Sequence, residues 1–243
     1  PRLRCSALSV WNDATTDKRL LMGRNADYFD MGLSDRGSLV VVHHPRNGNP
    51  VVTITFLGMI GGFTGVNAKG VAFGNMLVFN AEQRPVNKEG LAIQLQLRIA
   101  AQQADTARQM ADIVKAQKHV IPMNVMIADP REAIVLEIDL SGVGERTGDR
   151  GVLAASNWFH LPSLRTEEVP CERYTALTNA AQQRYGAFAV NDMKAALFDA
   201  RVRDMNLHAV TFEPEARRMH VSINREPASE GPYTTMDLDE LLQ

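Results

Sequence analysis

A layered α+β fold with antiparallel sheets is predicted by the way hydrophobic periodicity changes along the chain. β-branched runs separated by polar turns fill the stretch from Cys5 to Phe79. A helical period takes over at Leu91, strands return at Met123, and helices followed by one more hairpin complete the order. The composition agrees: 243 residues, 45% hydrophobic and 22% charged, form an ordinary globular chain with enough length to bury a core without staples. The sequence holds no internal repeat, low-complexity tract or long Pro/Ser linker, which favours one continuous domain.

CSALSVW and RLLMGRN flank NDATTDK, a polar turn cluster, and predict a hairpin. SLVVVHH and PVVTITFLGMIGG flank RNGN, whose Asn-Gly step predicts a second. In GFTGVNAKGVAFGNMLVF the tight turn is VNAKG, with Asn67 as the residue that tolerates left-handed backbone. The stretch from Leu91 to Val120 places Leu91, Leu95, Ile99, Met110, Ile113 and Val114 at helical spacing, as two helices with Asp105 as the cap between them. MNVMIADPREAIVLEIDL predicts a hairpin turning at ADPRE, and GVLAASNWF a further strand. CERYTALTNAAQQRYG and NDMKAALFDARV read as amphipathic helices, and LHAVTFEPEARRMHVSI as the final hairpin. Long apolar strands imply sheets covered on both faces.

A net charge of −2 with mixed signs gives no electrostatic footprint for nucleic acid or an anionic membrane surface. No apolar run approaches the ~20 residues of a membrane-spanning helix. Arg2 and Arg4 lead straight into a strand-like stretch, unlike a signal peptide, and the compartment stays unknown. Cys5 and Cys171 lie far apart and neither sits in a CxxC, so a disulfide scaffold or zinc site has no support. His43 and His44 suit a strand end or loop, with metal binding as the lesser reading.

Cys5 carries two readings. Free cysteine is among the most buried residue types, so it suits a core side chain that opens a strand. Were the preceding bond cut, the same residue would own a thiol and an α-amine titrating near ~7.7–8.0, a built-in general base. The hairpin folds Arg24 and Asp27 of GRNADYFD back beside Cys5. There the Arg would lower the thiol pKa and the carboxylate would hold the Arg or the ammonium. A surface Arg–Asp pair is the alternative.

Cys-Ser opening a strand, followed by GRN-x-D, resembles the cysteine branch of the amino-terminal-nucleophile (Ntn) amidohydrolases, with penicillin V acylase, bile salt hydrolase and isopenicillin N acyltransferase-like proteins. GGFTGVNAKGVAFGNML, ASNWFHLPSL, CERYTAL and LHAVTFEPEARRMHVSINREPASEGPY are similar to later motifs of that family, in its order. The resemblance runs from Cys5 to about Tyr233. It implies a four-layer αββα sandwich with antiparallel sheets over 5–243, and residues 1–4 as a propeptide remnant or leader.

The resemblance also implies roles. Cys5 would be the nucleophile and its freed amine the base, with Arg24 and Asp27 tuning both. Asn75 would donate to the oxyanion, Asn157 would bind near the amine or the substrate amide, and Arg173 would complete the polar network. Each has a structural alternative: Asn75 as a strand-end residue, Asn157 as a turn former, Arg173 as a helix-face charge. Tyr28, Phe29, Phe63, Met76 and Trp158 would line an acyl pocket, or equally form core. The implied function is cleavage or transfer of an acyl group at a non-peptide amide through an acyl-thioester on Cys5. No metal or organic cofactor is implied, the substrate is a small amide or acyl donor with a hydrophobic acyl group, and a homo-oligomer is compatible. The alternative is an unprocessed or inactive protein keeping the fold for binding or structure. A further one, Pro1 as a catalytic amine as in small tautomerases, leaves the Cys–Arg–Asp–Asn set unexplained.

Overall fold

The computed structural model describes residues 4–28, 32, 36–78, 86–165 and 169–243. Pro1 to Leu3 and Phe29 therefore lie outside the described residues, and with them most of the expected leader. Strands β1 (Ser6–Val10), β2 (Leu21–Asp27), β3 (Ser38–His43), β4 (Val51–Phe56), β5 (Thr64–Asn67) and β6 (Ala72–Leu77) come first. Helices α1 (Ile93–Gln103) and α2 (Ala107–Lys115) follow, then β7 (Met123–Ala128), β8 (Ala133–Asp139), β9 (Gly142–Thr147) and β10 (Val152–Ala155). The chain continues through α3 (Glu172–Gln183), α4 (Val190–Asp199), β11 (Asn206–Glu213), β12 (Arg218–Ile223), β13 (Thr234–Asp237) and α5 (Leu238–Leu241).

Among the described residues the strands form two antiparallel sheets, one of six in the order β10-β1-β2-β11-β12-β13 and one of seven in sequence order β3 to β9. The sheets face each other across a core that includes Ala7, Met22 and Val210 from the first and Val52, Val66 and Met126 from the second. Helices α1 and α2 cover the outer face of the seven-stranded sheet through Leu97, Met110 and Val114. Helices α3 and α4 cover the other outer face through Leu177, Met193 and Leu197. That is an αββα sandwich.

Both faces of the inner strands are therefore apolar, and the period of two decides which residue meets which layer. In β1, Leu8 and Val10 face the helices while Ala7 faces the partner sheet. In β2 the same parity sends Met22 and Arg24 inward and leaves Gly23 against α4, where a Cβ would stand 2.3 Å from Met193 Sδ.

Two local expectations are corrected. The cap of α2 is Thr106, whose hydroxyl accepts from the Gln109 amide at 3.2 Å; Asp105 precedes it and uses its own amide to bond Gln109 Oε1. In the VNAKG turn the left-handed residue is Gly70 (φ 79°), where Asn67 was expected. Asn67 instead accepts from the Lys69 and Val71 amides and donates to the Ala101 and Ala104 carbonyls, pinning the turn to the end of α1.

Candidate active site

Cys5 sits just ahead of β1, 6% exposed, at one end of the space between the sheets. The hairpin register pairs Ser6 with Asn25 and Ala7 with Arg24, so Arg24 reaches back alongside it. Arg24 Nη2 lies 3.6 Å from Cys5 Sγ and donates to the Asn75 carbonyl at 2.7 Å. Its Nη1 donates to Thr64 Oγ1 at 2.5 Å and to His208 Nε2 at 2.6 Å. All the terminal guanidinium hydrogens are thus directed, which fixes the group although it is fully buried. Gly74 makes room for it, since a Cβ there would stand 2.4 Å from Arg24 Cδ.

His208 is the residue the sequence did not disclose. A guanidinium can only donate, so His208 Nε2 is an acceptor, from Arg24 and from the Thr64 hydroxyl at 2.9 Å. The proton is then on Nδ1, which is buried without a partner. Burial, reinforced by the Arg24 charge, holds this imidazole well below its ordinary pKa and therefore neutral.

Asp27 ends β2, where β11 carries a one-residue bulge between Asn206 and His208. Asn206 Nδ2 donates to Asp27 Oδ1 at 2.7 Å, while Asn206 Oδ1 accepts from the Ser229 amide. Burial pushes the Asp27 carboxyl up to about 7, against the lowering effects of Asn206, Arg173 and Arg24. The Asp27 carbonyl accepts from the Arg4 amide at 2.9 Å and lies 4.0 Å from Cys5 Sγ.

The other polar groups converge on the Cys5 backbone. Asn157 Oδ1 accepts from the Cys5 amide at 2.8 Å, and Asn157 Nδ2 donates to the Leu77 carbonyl at 2.5 Å. Arg173, on the first turn of α3, donates to the Cys5 carbonyl. Asn75 is 5% exposed, and its carboxamide makes no hydrogen bond to any described residue. A buried carboxamide left unpaired in this way is available to a ligand.

The Cys5 thiol itself departs from expectation. Burial raises its pKa, and the opposing pull of Arg24 does not cancel that. In the uncut chain Cys5 is therefore a thiol rather than an Arg-stabilised thiolate.

A cavity of about 140 Å³ opens beside Cys5, Arg24 and Asn75, walled by Tyr28, Phe56, Phe63, Leu77, Ile93 and Ile121. Tyr28 and Phe63 stack at 6.2 Å within that wall. Met76 does not reach it: alternation along β6 turns it to the opposite face, into the core between the sheets. Trp158 lines a separate cleft on the Asn157 side. Among the described residues no group of His, Cys, Asp and Glu could hold a metal ion, and His43 instead contacts Thr53 Oγ1 at 3.0 Å.

The profile of the acyl-coenzyme A:6-aminopenicillanic acid acyl-transferase family matches residues 14–226. The chain belongs to that family. Its match begins beyond Cys5, so the position of the nucleophile rests on the geometry above. This acyltransferase-family chain is similar in structure to the N-acylethanolamine-hydrolyzing acid amidase ortholog of Caenorhabditis elegans, with a TM-score of 0.69, 14% identity, and coverage of 86% of this chain and 93% of that one. It is similar to a mutant form of the conjugated bile acid hydrolase of Clostridium perfringens at TM-score 0.68 and 11% identity, covering 97% and 93%. Penicillin V acylase from Agrobacterium tumefaciens gives 0.65 and 11%, covering 97% and 87%. These likenesses establish the Ntn-hydrolase sandwich. An uncharacterized protein of Archaeoglobus fulgidus is 26% identical over 125 residues, which take in 51% of this chain and only 21% of that protein.

Proposed function

We propose that Cys5 is the nucleophile of an acyl-transfer reaction at a non-peptide amide, and that it becomes active when the Arg4–Cys5 bond is cleaved. The observation that carries this reading is the convergence of Arg24, Asn157 and Arg173 on the thiol, amide and carbonyl of one residue. A merely structural cysteine needs none of them. Family membership supports acyl transfer as the reaction class.

In maturation, Cys5 Sγ attacks the Arg4 carbonyl carbon and the thiol proton passes to the Cys5 nitrogen. The C–N bond breaks, leaving a thioester on Sγ and a free amine, and water then releases Arg4 as a carboxylate. In turnover the amine takes the thiol proton, Sγ attacks the substrate carbonyl, and the Asn75 side-chain amide donates to the oxyanion. The ammonium returns its proton to the leaving nitrogen. Water or a second amine resolves the acyl-thioester. The 140 Å³ aromatic and aliphatic cavity would take the acyl group.

Intact mass of the purified protein beside a Cys5→Ala variant tests this. Loss of everything before Cys5 in the native protein alone, followed by activity on amides with hydrophobic acyl groups, is the expected result. Retention of Arg4 in both would leave Cys5 without its base and overturn the reading.

A further inference from the structure

A second cavity, about 610 Å³, lies on the Asn157 side of Cys5, and its character is opposite to the first. Four arginines line it, Arg4, Arg173, Arg201 and Arg203, against one described carboxylate, Glu172. Arg4 would depart on maturation, leaving three. Arg201 comes from the end of α4, with its guanidinium held 3.5 Å over the Phe198 ring and 3.6 Å from Glu230 Oε1. Its side chain is only 9% exposed, and its Nε is buried without a partner. The Arg203 side chain has no hydrogen bond or ion pair among the described residues, so its planar fork is uncommitted.

The direction of the reaction says which half of a substrate meets these groups. The Cys5 nitrogen protonates the leaving amine, and Asn157, which holds that nitrogen, lines this cleft. The acyl half then belongs in the apolar cavity and the amine half among the arginines. We infer that the Arg201–Arg203 cleft binds a carboxylate carried by the amine portion of the substrate, so that the preferred substrates are hydrophobic N-acyl amino acids rather than neutral N-acyl amines. This rests on the reading of Cys5 as an acyl-transfer nucleophile. Arginine is suited to the task because its paired N–H groups match the two oxygens of a carboxylate.

N-decanoylglycine and N-decanoylethanolamine share an acyl chain and differ in the charge on the amine side, so they form the test pair. In the matured wild-type protein kcat/KM for the glycine amide should exceed that for the ethanolamine amide by about tenfold, the effect of one charge-assisted contact. Arg203→Ala should bring the ratio towards one, Arg203→Lys should retain part of it, and added salt should narrow it. Cleavage of both at equal rates, or faster cleavage of the ethanolamine amide, overturns the cleft while leaving the acyl-transfer reading intact. If neither is cleaved, that reading fails for amides of this kind, and calorimetric titration of the same two compounds decides the cleft. Tighter binding of the glycine amide, weakened in Arg203→Ala, supports it; no difference between the two overturns it.

Discussion

The Asn157 carboxamide oxygen lies 2.8 Å from the Cys5 backbone nitrogen, the atom that cleavage would convert from an amide into an amine. Asn157 therefore holds the proposed base in place before it is a base. Asn157→Leu should lower the single-turnover rate of the matured protein by about 10²-fold, the usual scale of positioned acid–base catalysis. A loss below about threefold in that rate would sink the assignment.

His208 acts on the thiol through Arg24 and is a positioning residue. His208→Leu leaves Arg24 Nη1 with Thr64 as its remaining acceptor. Alkylation of Cys5 should then move to higher pH and kcat fall about tenfold with KM unchanged, the scale of one lost charged hydrogen bond. His208→Asn, which offers an acceptor oxygen, should recover most of it. An unaltered alkylation profile in His208→Leu would remove the role.

Asp27 sets a pH dependence of stability. Its carboxyl titrates at about 7 in the fold against 3.8 for the free group, so between those values the folded state binds more protons than the unfolded one. Stability from this group is then fully present below about pH 4 and declines as pH rises to about 7. Asp27→Asn should flatten that slope in melting temperatures taken at pH 5 and pH 7.5. Equal slopes in both proteins would show that the carboxyl is not held protonated.

Asn67 spends its whole carboxamide on four backbone groups, all in a fully buried turn. Asn67→Ala should cost about 3 kcal/mol in urea unfolding, because several buried partners lose their bonds together. A cost under about 1 kcal/mol would mean that water replaces the side chain.

The sandwich was legible because each hairpin carried its own turn and alternation, as in CSALSVW and RLLMGRN around NDATTDK. Strand β9 was not, since GVGERT is short, has two glycines and lies on a sheet edge with little buried surface. At the site, Arg24 and Asp27 could be placed beside Cys5 because a local hairpin does so. His208, Asn206 and Arg201 could not: LHAVTF reads as an ordinary strand, and their partners come from distant parts of the chain. Met76 was misplaced for a simpler reason, since one step along a strand changes the layer a side chain enters.

The Asn157–Cys5 contact also constrains what kind of zymogen this would be. The oxygen that accepts an amide hydrogen in the uncut chain can accept an amine hydrogen from the same atom at the same place. Nothing around Cys5 needs to rearrange for the base to appear. Latency here is a matter of bonding at one nitrogen, not of a blocked or misfolded site. Precursor and mature protein would share one backbone and differ by a charge.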